Sequence, residues 1–261
     1  MTGASGSPIL IAGFHRSGTS AVARLLAMAG LSFGDNLLGS GPDNPYGHFE
    51  DLAVVAAHDA ALNAQDLTWK STSRCPTPRP ELRDFIRSYL GQAHDEPFGI
   101  KDPRLCLFLC DWLDHAPDAK VIVVLRRPGP TIDSLHRRHV RRFVDTRRVD
   151  PSDVAFWKDP DLGLKLWLHY GRQLLEALDR VEPSNQLVVE FDERDQLAEL
   201  ARWCNERWQL GLSEGPHHAL DADLGRSVHE TTIGVRDAAL IDEAAKLWGQ
   251  FSPFFLTRSI K

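Results

Sequence analysis

Near the start of the chain an apolar run, PILIAG, leads directly into GFHRSGTS, and SAVARLLAMAG then repeats apolar residues at helical spacing. Strand, glycine loop and helix in that order converge several backbone N–H groups on one point at the helix N-terminus. The helix dipole adds positive potential there. Gly13 and Gly18 have the spacing of the phosphate loop G-x-x-x-x-G-K-[ST], and Ser20 falls on its hydroxyl position. Thr19, however, stands where the lysine is expected, and the cation inside the loop is Arg16. His15, Arg16, Ser17, Gly18, Thr19 and Ser20 are therefore the candidate phosphate-binding residues.

The segments that follow alternate between strand and helix. FGIK, AKVIVVLR and NQLVVEFDE read as further buried strands, because both faces are apolar. Helical spacing returns after the glycine-rich stretch LSFGDNLLGSGPDNPYGHFED, over residues 81–92, in RLCLFLCDWL, from about Pro130, in DLGLKLWLHYGRQLLEALDRV, in LAELARWCNERW and in DAALIDEAAKLWGQF. Such alternation predicts an α/β three-layer sandwich with a central, mostly parallel sheet, like that of P-loop NTPases. With 261 residues and 43% hydrophobic content, one domain over 1–261 is expected.

Several function classes lose support at this level. No run approaches the length that spans a bilayer, and MTGASGSPIL lacks the features of a signal peptide. A cytoplasmic protein is expected. Cys75, Cys106, Cys110 and Cys204 have no metal-ligand spacing. A net charge of −6 argues against a nucleic-acid partner. The charge is uneven, though: residues 125–148 are densely basic. That run is either a solvated helix face or the edge of a site for a compact polyanion.

The displaced cation narrows the chemistry. A nucleotide hydrolase or kinase uses the loop lysine together with a metal held by Ser/Thr and an acidic residue ending another strand. The strand KVIVVLR instead ends in Arg126 and Arg127. Cations there repel a metal and attract more phosphate, so a phosphorylated nucleotide bound without metal is expected.

This pattern resembles the sulfotransferases that use 3′-phosphoadenosine-5′-phosphosulfate (PAPS). The stretch RSGTS is similar to their [KR]-S-G-T-[ST] loop, which implies that Arg16 reaches the bridging oxygen of the phosphosulfate. RRPGPTIDS resembles their second motif, an arginine ending a strand and a serine eight residues later, which bind the 3′-phosphate. Arg126 and Ser134 take those roles, with Arg127 as the competing arginine. IKDPR resembles a K-D-P segment whose lysine contacts the sulfuryl group, which implies that role for Lys101; a simple pairing with Asp102 is the alternative. NPYGHFED resembles an N-P-x-G-x-[FW]-E segment and makes Glu50 the first candidate for general base, with His48 second. The late stretch GRSVHET offers Arg226 as a further 3′-phosphate ligand by analogy with an arginine-containing loop.

The resemblance implies transfer of a sulfuryl group to a hydroxyl of a small molecule or glycan. A metal-dependent small-molecule kinase and a catalytically inactive nucleotide-binding protein are the alternatives. His136 and His139 are expected to border nucleotide or solvent, and His58 and His169 to be structural. Residues 137–148 are either a lid, an acceptor-binding edge or solvated charge. Trp69, Trp112, Trp157 and Trp167 either line an apolar acceptor pocket or belong to the core.

Overall fold

The computed structural model describes residues 6–41, 44–92, 96–146, 153–214 and 234–255. Four strands form one parallel sheet: β1 (Ile9–Ala12), β2 (Gly99–Lys101), β3 (Lys120–Leu125) and β4 (Gln186–Glu190), in the order β2-β1-β3-β4. These are the four apolar runs of the sequence. Their alternation decides the layering. Leu10, Ala12, Val121, Val123, Leu125 and Val188 point into one apolar cluster. Ile9, Ile11, Ile122, Val124, Leu187 and Val189 point into another. Successive strand residues face opposite sides, so both faces of the sheet are covered.

Ten helices supply the outer layers among the described residues. On the second face lie α1 (Thr19–Met28), α8 (Arg194–Ala198) and α9 (Leu200–Trp208). The first face is covered by α2 (Leu52–Asn63), α3 (Pro80–Leu90), α4 (Leu105–His115) and α5 (Pro128–Thr146). The short α6 (Val154–Lys158), α7 (Leu162–Leu178) and α10 (Ala238–Phe251) complete that layer. The three-layer α/β expectation holds. No helix among the described residues is long and apolar enough to cross a membrane.

Details of the reading change. LAELARWCNERW is not one helix: α8 and α9 meet at Glu199. α5 begins at Pro128, not near Pro130; a proline in the first turn loses only an N–H that has no helical partner anyway. The helix expected to end at Gly30 stops at Met28, and Gly30 takes φ +108 just beyond it. The five-residue α6 carried no recognisable signal.

The strand order positions the site. The chain leaves β1 toward β2 and leaves β3 toward β4, on the other side. A crevice opens at the carboxyl ends of β1 and β3, where α/β sheets bind ligands.

Candidate active site

Residues 13–20 form the floor of that crevice. Gly13 cannot carry a side chain, since a Cβ there would lie 2.5 Å from the Val124 carbonyl oxygen of β3. Gly18 has φ +93 and lies against Phe191, whose ring a Cβ would meet at 2.0 Å. Gly18 also caps α1, and no side chain bonds the helix N-terminus there. Arg16 itself has φ +70. A non-glycine residue in the left-handed region is uncommon, and such strain gathers at functional sites.

Arg16 points across the crevice. Its Nε donates to Ser134 Oγ on α5 at 3.1 Å. Arg126, at the end of β3, lines the same cleft and is only 4% exposed. It pairs with Asp192 at 3.1 Å, and its carbonyl accepts the Trp167 indole N–H at 3.1 Å. Arg127 points elsewhere: it is exposed, pairs with Glu190 at 3.1 Å and lies over the Trp248 ring. The structure therefore brings Arg126, not Arg127, to the loop. Arg226 lies outside the described residues.

Lys101 ends β2 and is 2% exposed. Its Nζ lies 2.5 Å from Glu50 Oε1, and 2.9 Å from both Ser20 Oγ and the His48 carbonyl oxygen. An ammonium has three protons to donate, and these contacts use all three. The cation missing from position 19 thus arrives from another strand. Burial pulls the Lys101 ammonium below its ordinary range, while the Glu50 carboxylate opposes that pull. His48 Nδ1 is 3.9 Å from Glu50 Oε1.

The alternative pairing of Lys101 with Asp102 gives way to a different arrangement. Asp102 faces the other way, onto α2, where its Oδ2 lies 2.9 Å from His58 Nδ1. Trp112 Nε1 donates to His58 Nε2 at 3.0 Å. An indole can only donate, so Nε2 accepts and the His58 proton sits on Nδ1, facing Asp102. Burial alone would raise Asp102; the His58 hydrogen bond and the Arg104 guanidinium hold it well below the usual carboxylate range.

His15 is 8% exposed, packs against Trp69 with ring centroids 4.3 Å apart and a tilt of 41°, and has no hydrogen-bond partner at Nε2 among the described residues. Burial, joined by the Arg104 and Arg138 charges, holds its ring well below the ordinary histidine pKa. His139 does not border solvent: it stacks on Phe156 and its Nδ1 is 3.0 Å from Asp153, which also takes Lys70 at 2.7 Å. Trp112 and Trp167 are core residues, Trp157 is exposed, and Trp69 packs between His15 and Phe156.

The cleft gathers His15, Arg16, Gly18, Thr19, Ser20, His48, Glu50, Lys101, Arg126 and Ser134 from the sequence-derived set; Ser17 is buried beneath it. It also contains Arg24, Tyr46, Arg138 and Phe191, which the sequence reading did not single out as site residues. Arg24 had one available signal: it lies four residues after Ser20, on the same helix face.

No protein-family model matches the chain, and no curated protein matches it. Solved structures do. The sulfotransferase domain of the Synechococcus PCC 7002 olefin synthase superposes over 95% of this chain and 95% of its own, with TM-score 0.50 and 18% identity. The sulfotransferase domain from the curacin biosynthetic pathway superposes over 95% and 97%, with TM-score 0.52 and 15% identity. A four-stranded parallel sheet with a glycine-containing loop after β1 and an arginine after β3, together with these superpositions, gives the chain the sulfotransferase fold.

Proposed function

We propose that the protein transfers a sulfuryl group from PAPS to a hydroxyl group of a small molecule or glycan. The observation that carries this reading is the meeting of Arg16 and Ser134 beside Arg126, which sets cations at two separate points of one cleft. A nucleotide that carries phosphate at both the 3′ and the 5′ position of its ribose suits cations at two points. The glycine loop fits a phosphate as well, because it leaves no room for side chains and presents the uncapped start of α1.

In this reading the 5′-phosphosulfate lies over residues 15–20, and Arg126 with Ser134 holds the 3′-phosphate. PAPS supplies the sulfuryl group. As the acceptor oxygen bonds to sulfur, the bridging O–S bond breaks and its electrons remain on the 5′-phosphate oxygen. Arg16 stabilises that growing charge; a guanidinium stays protonated, so it acts as a clamp and not as an acid. Glu50 takes the acceptor's proton, and His48 beside it is the alternative base. Lys101 keeps Glu50 in place and offers a sulfuryl oxygen the proton now given to Ser20.

The kinase reading meets a specific obstacle. The hydroxyl that would hold Mg²⁺, Ser20 Oγ, already accepts from the Lys101 ammonium at 2.9 Å. Thermal shift decides between them. Adenosine 3′,5′-bisphosphate without metal is expected to raise Tm, and ATP with Mg²⁺ is not. Stabilisation by ATP–Mg²⁺ alone would defeat the proposal. Turnover of labelled PAPS with a panel of hydroxyl acceptors then separates an active transferase from a protein that only binds the nucleotide.

A further inference from the structure

The cleft is lined by more cations than the nucleotide reading uses. Arg24 and Arg138 both face it, and neither has a role in that reading. Each stands four residues beyond a serine of the proposed nucleotide site: Arg24 follows Ser20 on α1, and Arg138 follows Ser134 on α5. Residues so spaced share a helix face, about 5–6 Å apart. Both arginines therefore stand one helical turn beyond the serines whose hydroxyls are expected to hold phosphate, and their side chains lean back toward them.

Arg24 is also oriented. Its Cζ lies 3.6 Å from the centroid of the Tyr46 ring, over a residue that itself lines the cleft. A guanidinium's fork of donors suits carboxylate or phosphate. Arg138 lines the cleft from α5, and its charge acts on His15. His15 is a buried ring in the same cleft whose Nε2 has no hydrogen-bond partner among the described residues, and burial keeps it neutral. It can meet a ligand without adding charge. Among the described lining residues the single carboxylate is Glu50, and Lys101 is bonded to it.

We infer that Arg24 and Arg138 form an anion subsite for the acceptor, so that the acceptor carries a carboxylate, phosphate or sulfate group in addition to its reacting hydroxyl. The inference rests on the nucleotide reading above. It adds electrostatic selection: a neutral hydroxyl compound of the same shape lacks the group these arginines hold.

The test titrates inorganic phosphate into protein saturated with adenosine 3′,5′-bisphosphate and follows Tm, with potassium chloride matching ionic strength. A second, saturable rise is expected for the wild type. In Arg24→Gln and in Arg138→Gln, half-saturation by phosphate should move up about tenfold, the usual scale for a lost charged hydrogen bond. Their bisphosphate response should stay within about twofold. Absence of the second rise, or an unchanged phosphate response in both variants, overturns the inference. A bisphosphate response weakened about tenfold in the variants also overturns it, by assigning these arginines to the nucleotide. If the wild type shows no bisphosphate shift at all, the parent reading has failed; phosphate titrated alone then decides, its loss in both variants retaining the subsite and its persistence removing it.

Discussion

Arg16 Nε donates to Ser134 Oγ across 3.1 Å, although 118 residues separate the two. They meet because β1 and β3 are neighbours in the sheet, so the loop after one and the helix after the other open on the same edge. The bond joins the two halves of the proposed nucleotide site. Ser134→Ala should therefore weaken adenosine 3′,5′-bisphosphate about tenfold in a calorimetric titration and leave the fold intact. Arg16→Ala should abolish turnover of PAPS. Wild-type turnover in that variant would remove the clamp role assigned to Arg16.

Arg126 and Arg127 are adjacent in sequence but belong to different surroundings. The first is buried in the cleft against Asp192; the second is exposed against Glu190. Arg126→Ala is expected to raise the bisphosphate Kd at least about tenfold, by loss of a charge-assisted hydrogen bond to phosphate. Arg127→Ala, a surface change, should stay within about twofold. The reverse order would exchange the assignment.

These contrasts mark what the sequence could and could not reveal. The four strands were legible because a strand covered on both faces is apolar throughout, and the loop glycines because backbone approach excludes a side chain. Partners were harder. A pairing of Lys101 with Asp102 stood as the alternative because they are adjacent, yet neighbours along an extended chain point apart; one reaches the loop at residues 48–50, the other reaches α2. Asp153, Lys70 and His139 come together from three distant segments, and no local spacing announces such a group. Arg138 was visible only as part of a basic run, whose other members Arg137 and Arg127 pair with Asp133 and Glu190.

Lys101 and Glu50 are both buried, and each is the other's counter-charge. Removing one leaves the other charged and out of water, which costs about 3–5 kcal/mol. Lys101→Met should lose about that much unfolding free energy in urea. The double variant Lys101→Met, Glu50→Leu should lose less, because no charge is stranded. Glu50→Gln keeps an acceptor for Lys101 and removes the basic oxygen. It should lower kcat while sparing bisphosphate affinity; an unchanged kcat would dismiss Glu50 as the base.

The buried histidines set the pH dependence of stability. Burial is the leading cause that holds His15, His136, His139 and His169 below the ordinary histidine range. Around His15, Arg104, Arg138 and Lys101 act with burial and Asp102 acts against it. Around His139, Asp153 opposes burial while Lys70 and Arg138 support it. An unfolded histidine takes up its proton near pH 6.5, whereas these folded rings take it up only at lower pH. Between those two points the unfolded chain binds more protons, so stability rises with pH through that window and falls on acidification. Asp102, held low, gives stability that is lost only in stronger acid, below the ordinary carboxylate range. Unfolding free energy from urea titrations should therefore drop between about pH 7 and pH 5.5. His15 alone can contribute a slope of up to about 1.4 kcal/mol per pH unit. His15→Gln cannot titrate, so its profile should be shallower than the wild type's by up to one proton's worth. Equal slopes in the two proteins would mean that His15 is not kept neutral by its surroundings, and the donor or acceptor role of an uncharged ring in the cleft would fall with it.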